Sequence, residues 1–213
     1  MRHEENRRDS YERLSACYYL PEEDTIRELA ELEEAMGSVC AEAAEHVSSM
    51  RRETDIEQLS IDYSKLFLGP FGLLAPPYGS VYLERERRIM GDSTMDARNR
   101  YREVGLGISG SLKEAPDHIA IELEFMYYLI FKEIESIEKS DFENAMDYLR
   151  KQRGFLEDHL GAWVSEFADN VEENAGTDFY KCLARATRVF VKKDLDDVLE
   201  TSIAELSALT AAG

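Results

Sequence analysis

Six apolar residues, Ile119, Leu123, Met126, Ile130, Ile134 and Ile137, step by 4, 3, 4, 4 and 3. Those steps return to one face of an α-helix, so the run predicts a long, straight, buried helix. Pro116 bars helical continuation from upstream, and Asp117 is placed to cap the new helix. A stripe of that length is stable only when other elements cover it. The rest of the chain offers helices for the purpose. Leu14, Cys17 and Tyr18 share a face in a helix predicted from Ser10 to about Leu20 and ended by Pro21. Ile26, Leu29, Ala30 and Leu32 do the same between Asp24 and Met36, and a further helix is expected from Val39 to Arg51. Ile56, Leu59, Tyr63, Leu66 and Phe67 form a stripe that Gly69-Pro70 ends. Ser93 or Asp92 can cap a helix running to about Val104, and Ser140 can cap the one after the long helix. Phe155, Leu156, His159, Leu160, Trp163 and Phe167 read as one stripe. Phe179, Leu183, Ala186 and Phe190 read as the next, and Leu195 to Leu209 as the last.

No segment alternates with a period of two between hairpin turns. The chain is therefore predicted to be all-α, one globular helical domain over residues 1–213 with about eight to ten helices. Its 213 residues suit one domain, or two helical subdomains sharing a core. The glycines of the 105–117 stretch permit a hinge there.

The formal net charge is −19, from 44 acidic and 25 basic residues. Such a field repels nucleic acid and anionic membrane surfaces and favours cationic partners. Cys17, Cys40 and Cys182 are odd in number and far apart, which supports neither a disulfide framework nor a zinc ribbon. A reducing, cytoplasmic setting fits best. The start of the chain has no apolar run of signal-peptide length, and no stretch reaches the roughly 18 apolar residues of a membrane span.

Catalytic motifs fail on context. Gly105-Leu-Gly107-Ile-Ser-Gly110 matches G-x-G-x-x-G, but the dinucleotide-binding form needs a strand before it and a helix opening inside it. A glycine-permissive linker between helices accounts for it. Asp117-His118 and Asp158-His159 are adjacent pairs, and neighbours on a helix point about 100° apart, so neither converges on one proton or metal. His159 lies in an apolar stripe and reads as a core or interface histidine. His118 is an ordinary first-turn residue or part of a site. Ser109 misses the G-x-S-x-G elbow by one residue. No catalytic residue, metal site or cofactor is indicated, so the chain is read as a non-enzyme.

One segment remains, Leu66 to Thr94, "LFLGPFGLLAPPYGSVYLERERRIMGDST". Pro76-Pro77 forces extended backbone, so Leu73 to Tyr78 cannot be helical. Phe71, Leu73, Leu74, Tyr78, Val81, Tyr82 and Leu83 then either fold back into the core as a compact loop or line a groove of the kind that takes apolar peptides.

At this point the sequence resembles the TorD/DmsD/NarJ-type chaperones of molybdoenzymes. Tyr63 to Thr94 is similar to the family's helix ending in Leu-Phe, then Gly-Pro, Pro-Pro-aromatic, Ser-Val-aromatic and a Gly-x-Ser-Thr stretch. "EAPDHIAIELEFM", Glu114 to Met126, matches the pattern E-x-P-D-H-x-x-x-E-L-x-F-M at every fixed position. "FLEDHLGAWVSEF", Phe155 to Phe167, is a looser third match in the same order. Where several members carry tryptophan, this chain has Tyr63, Phe71, Tyr78 and Tyr82; its only tryptophan is Trp163.

The resemblance implies an all-helical cytoplasmic protein without a prosthetic group. It would bind the twin-arginine signal peptide of a molybdopterin oxidoreductase and hold the apo-enzyme until cofactor is inserted before export. By position, the peptide site would comprise Tyr63, Leu66, Phe67, Phe71, Pro76, Pro77 and Tyr78, completed by Gly91, Pro116, Asp117 and His118. Asp117 would pair with a leader arginine. A monomer is the default, and a domain-swapped dimer is compatible with such a fold. Two other readings stay open: a NarJ-like assembly factor that binds a mature reductase subunit, and a nucleotide hydrolase using the 105–110 loop.

Overall fold

A computed structural model describes residues 2–69, 73–84, 89–107 and 114–211. Among them are ten α-helices of eight residues or more and one five-residue turn. They are α1 (Arg2–Ala16), α2 (Glu23–Gly37), α3 (Ala41–Met50), α4 (Ile56–Tyr63), the short α5 (Gly79–Leu83), α6 (Asp92–Glu103), α7 (Ile119–Glu138), α8 (Phe142–Asp158), α9 (Leu160–Asn174), α10 (Asp178–Lys193) and α11 (Leu199–Ala211). Ser64–Leu68 and Asp194–Val198 are single wide π-turns that prolong α4 and α10. The only extended pairing among the described residues is one antiparallel bridge, Tyr78 with His118.

The stripe Ile119 to Ile134 lies on α7 as its spacing requires, covered by α1 and α8. α10 packs on α3 and α9, and α2 joins α1 to α3. One continuous core results, in which Phe155, Trp163, Phe167, Phe179 and Phe190 are buried.

Several boundaries differ from those expected, each for a tertiary reason. α1 begins at Arg2 rather than Ser10, because its buried face continues through Arg7, which no apolar pattern counts. The Arg7 guanidinium donates to Asp194 Oδ1 at 2.5 Å and Oδ2 at 3.0 Å and to Gln152 Oε1 at 2.7 Å. Asp194 Oδ2 also accepts from the Tyr11 hydroxyl at 2.6 Å, and Gln152 donates to Glu133 at 2.8 Å. This buried cluster ties the first helix to the wide turn after α10. α1 also ends early, at Ala16, where Tyr18 and Tyr19 leave the helix through tighter i→i+3 bonds. Tyr18 thereby reaches Thr187, with 2.9 Å between their oxygens.

Ser140 does not cap α8. It takes a positive φ of 57°, and Asp141 accepts from the Asn144 amide at 3.2 Å instead. The stripe from Phe155 to Phe167 is two helices, broken at His159 (φ −125°, ψ −106°). Gly161 permits the break, since a β-carbon there would collide with the Leu156 carbonyl oxygen. Asp117 is not the cap of α7 either: His118 is, its Nδ1 accepting from the Ala120 amide at 3.2 Å.

Candidate functional site

The two sequence blocks meet through their backbones. The Gly79 amide donates to the Asp117 carbonyl and the Ile119 amide to the Pro77 carbonyl, both at 2.8 Å. Asp117 Oδ2 then accepts from the Ser80 amide at 2.8 Å, which caps the first turn of α5 from across the fold. Its other oxygen, Oδ1, is buried without a hydrogen-bond partner among the described residues. Pro76 and Pro77 deliver the chain to this junction in the extended form their rings impose. Tyr78 follows, half-buried, with its hydroxyl on Glu114 at 3.0 Å and its ring edge-on to His118 at 5.3 Å. Tyr19 stacks on the His118 ring at 6.4 Å.

His118 is therefore in ring contact with two tyrosines. Burial pushes its pKa down to about 4, against the opposite pull of Glu114 and Asp117, so the imidazole is neutral near pH 7. Because Nδ1 accepts a hydrogen bond, the proton of that neutral ring sits on Nε2.

The other expected site residues are distributed unevenly. Leu66 is fully buried, and Phe67 and Tyr63 nearly so; Phe67 packs against Tyr18, Tyr63, Phe167 and Tyr180. They support the site from beneath and do not line an open groove. Pro116 is half-buried, and its carbonyl accepts from the Tyr101 hydroxyl at 2.7 Å. Phe71 lies outside the described residues. Only part of the apolar loop folds back into the core. Ala75 and Val81 join the interior, whereas Leu68 and Leu74 remain 58% and 48% exposed.

Gly91 has a specific role. The Glu84 carboxylate occupies the place its side chain would take, and accepts from the Ser93 amide at 2.9 Å and the Ser93 hydroxyl at 2.6 Å. Glu84, rather than Ser93 or Asp92, is thus the cap of α6. Gly91→Ala would expel that carboxylate, and a loss of about 1–2 kcal/mol is expected in urea denaturation. The double variant with Glu84→Ala should lose no more than Glu84→Ala alone, because both changes remove one interaction.

Residues that sequence reasoning missed form the layer below. Trp163 Nε1 donates to Glu122 Oε2 at 2.8 Å, and both side chains are buried. His159 Nε2 lies 2.7 Å from Asp96 Oδ2 and its Nδ1 3.7 Å from Glu122 Oε1. Burial opposes protonation of His159, but Glu122 and Asp96 outweigh it and raise its pKa. Gly79 sits directly on this array, since a β-carbon there would lie 3.0 Å from Trp163 Nε1. The available signal was the fixed glutamate of the E-x-P-D-H-x-x-x-E pattern, one turn after His118.

Two buried groups should give opposing pH effects. His118 has a lowered pKa, so the unfolded chain takes up its proton first and stability falls as pH drops from 6.5 toward about 4. Burial, reinforced by Glu4 and opposed by Arg7, raises Glu133 to about 7, so its contribution is full below its ordinary 4.5 and fades as pH rises through 7. Each changes stability by about 1 kcal/mol per pH unit within its window. Glu133→Gln should therefore steepen the loss of stability between pH 6.5 and 5, and His118→Gln should flatten it. Urea midpoints measured across pH 4–8, a window of roughly four units around these shifts, check both signs.

The first glycine of the G-x-G-x-x-G match closes a helix. Gly105, at φ 82°, donates to Arg102, and Leu106 donates to Tyr101, the paired bonds of a Schellman end to α6. Ser109 and Gly110 lie outside the described residues.

Comparison with known proteins gives a consistent result. A family described as nitrate reductase delta subunit matches residues 27–169. The Tat proofreading chaperone DmsD of Salmonella typhimurium is 30% identical over 177 residues, 81% of this chain and 80% of its own length. The chaperone protein TorD of Aliivibrio fischeri is 28% identical over 171 residues, 80% of this chain and 78% of its own. A crystal structure described as a redox enzyme maturation protein from Archaeoglobus fulgidus superposes with a TM-score of 0.54 at 27% identity, covering 87% of this chain and 93% of that one.

Proposed function

Since this chain belongs to the nitrate reductase delta subunit family, together with the DmsD and TorD chaperones, we propose that it binds the twin-arginine leader of a molybdopterin oxidoreductase. It is a maturation chaperone and not an enzyme. It acts in the cytoplasm, where it holds the apo-enzyme until cofactor is inserted and so delays export.

One observation supports this reading above the others. The Pro-Pro-Tyr segment and the Pro-Asp-His segment, distant in sequence, are joined into one unit through Gly79, Ser80, Asp117 and Ile119. Among the described residues of these segments, Leu68 and Leu74 are exposed apolar side chains. An apolar leader core would cover them. Proline-stiffened walls lower the ordering cost of such binding.

Calorimetric titration with a twin-arginine leader from a molybdoenzyme of the same genome tests it. The expected result is micromolar binding, about −8 kcal/mol, that is lost when the leader's apolar core is made polar. Capture of the full-length apo-enzyme without binding of its leader would favour the assembly-factor reading, in which a mature subunit is the partner.

A further inference from the structure

We infer that the arginine side chains of the leader seat in a cavity between α1 and α7, and not on Asp117; this rests on the leader-binding reading. Asp117 is 0% exposed, and one of its oxygens is committed to the Ser80 amide. A guanidinium could reach it only by breaking the junction that forms the site. The cavity beside it needs no such change. It has a volume of about 590 Å³ and opens between α1, the end of α6 and α7.

Its walls suit a long cationic side chain. Ile121, Phe125 and Leu106 would cover the methylene stem, and the aromatic side chains Tyr19, Tyr101 and Tyr128 line the cavity beside them. The carboxylates of Glu12 and Glu124 are exposed at its edge, and no lysine or arginine is among its described lining residues. Neither acid has an ion-pair partner among the described residues, although neighbouring Asp9 is paired with Arg8. Glu124 is held in place by the Tyr19 hydroxyl at 3.0 Å. Ser15 Oγ lies 3.4 Å from the same oxygen, Oε1, and the other oxygen has no hydrogen-bond partner among the described residues.

Tyr19 also fixes the position of the cavity relative to the first site. The same ring lines the cavity and stacks on His118. A leader laid across Tyr19 would place its apolar core at His118, Tyr78 and Leu74, and its preceding basic residues over Glu12 and Glu124. Recognition would thus be divided, apolar burial supplying affinity at one end and two carboxylates supplying selection for arginine at the other.

The test compares a leader carrying Arg-Arg with one carrying Gln-Gln, against the full chain and its Glu12→Gln/Glu124→Gln variant, by fluorescence anisotropy. Both glutamates are exposed, so the variant should unfold at the wild-type urea midpoint. The wild-type chain is expected to favour Arg-Arg by about tenfold or more, with the preference shrinking as salt rises, and the variant should bind both leaders equally. A variant that keeps the Arg-Arg preference, while the leader still binds, overturns this assignment and leaves the leader reading intact. A wild-type chain that binds neither leader overturns both. Asp117→Asn serves as the contrast: it should retain the Arg-Arg preference, and its loss there instead would return the arginine to Asp117.

Discussion

Arg7→Ala is expected to destabilise the protein by about 3–5 kcal/mol. The guanidinium is completely buried, and so is its partner Asp194. Removing the cation leaves the Asp194 carboxylate in the interior with the Tyr11 hydroxyl as its one other side-chain partner among the described residues. Gln152 loses a partner as well, and Glu133, 3.7 Å from Arg7, loses a nearby cation. Burial works against the charged form of Arg7, but Asp194 and Glu4 overcome it and hold the guanidinium firmly protonated. The loss therefore reflects an orphaned anion more than the net worth of the pair. Replacing both partners with apolar residues, Arg7→Met with Asp194→Leu, should recover most of it. Urea midpoints at unchanged slope would show both effects. Arg8→Ala removes a partly exposed cation paired with Asp9, and should change stability by less than about 1 kcal/mol. A similar loss in both single variants would mean that the buried cluster is not what secures α1.

Asp117→Ala is the second large effect, on binding as well as on stability. The Ser80 amide is hydrogen-bonded to Asp117 Oδ2, and Ser80 is fully buried. An unsatisfied buried donor costs about 1–3 kcal/mol. The damage falls where Tyr78 and the Pro-Pro segment are held against His118, so leader affinity should drop at least tenfold, or about 1.4 kcal/mol. Asp117→Asn separates geometry from charge. Its amide oxygen can still accept from Ser80, so leader affinity should stay near wild type, while the amide N–H group placed at the buried, unpartnered Oδ1 position lowers stability by about 1–3 kcal/mol. Parallel calorimetry and urea denaturation on the two variants decide the matter. Equal loss of leader binding in both, with the asparagine form stably folded, would show that the negative charge itself is required.

Much of the fold was legible because helices announce themselves locally. A stripe at steps of three and four needs no knowledge of its partner, and α7, α2 and α10 lie close to where their apolar residues place them. The errors came where a long-range contact replaced a local one. Glu84 caps α6 from outside the helix, and His118 caps α7 because Asp117 is engaged with Ser80. Arg7 occupies a core position that polarity conceals until Asp194 is seen beside it.

The site divides in the same way. The paired blocks at Tyr63–Thr94 and Glu114–Met126 could be found from residue identity alone, and so could the absence of helix across Pro76-Pro77. Which of those residues meet solvent could not. Leu66 and Leu68 are two positions apart on one wide turn, yet one is sealed in the core and the other exposed. Likewise, no spacing rule brings Glu12, Tyr19 and Glu124 to one cavity, because they are joined by the packing of α1 on α7. The sequence by itself determined helix content, the proline-stiffened loop and the acidic character, all properties of short windows and sums. Only the tertiary structure decided caps, buried charges and the accessible face, because each depends on groups far apart in the chain that folding places within a few ångströms.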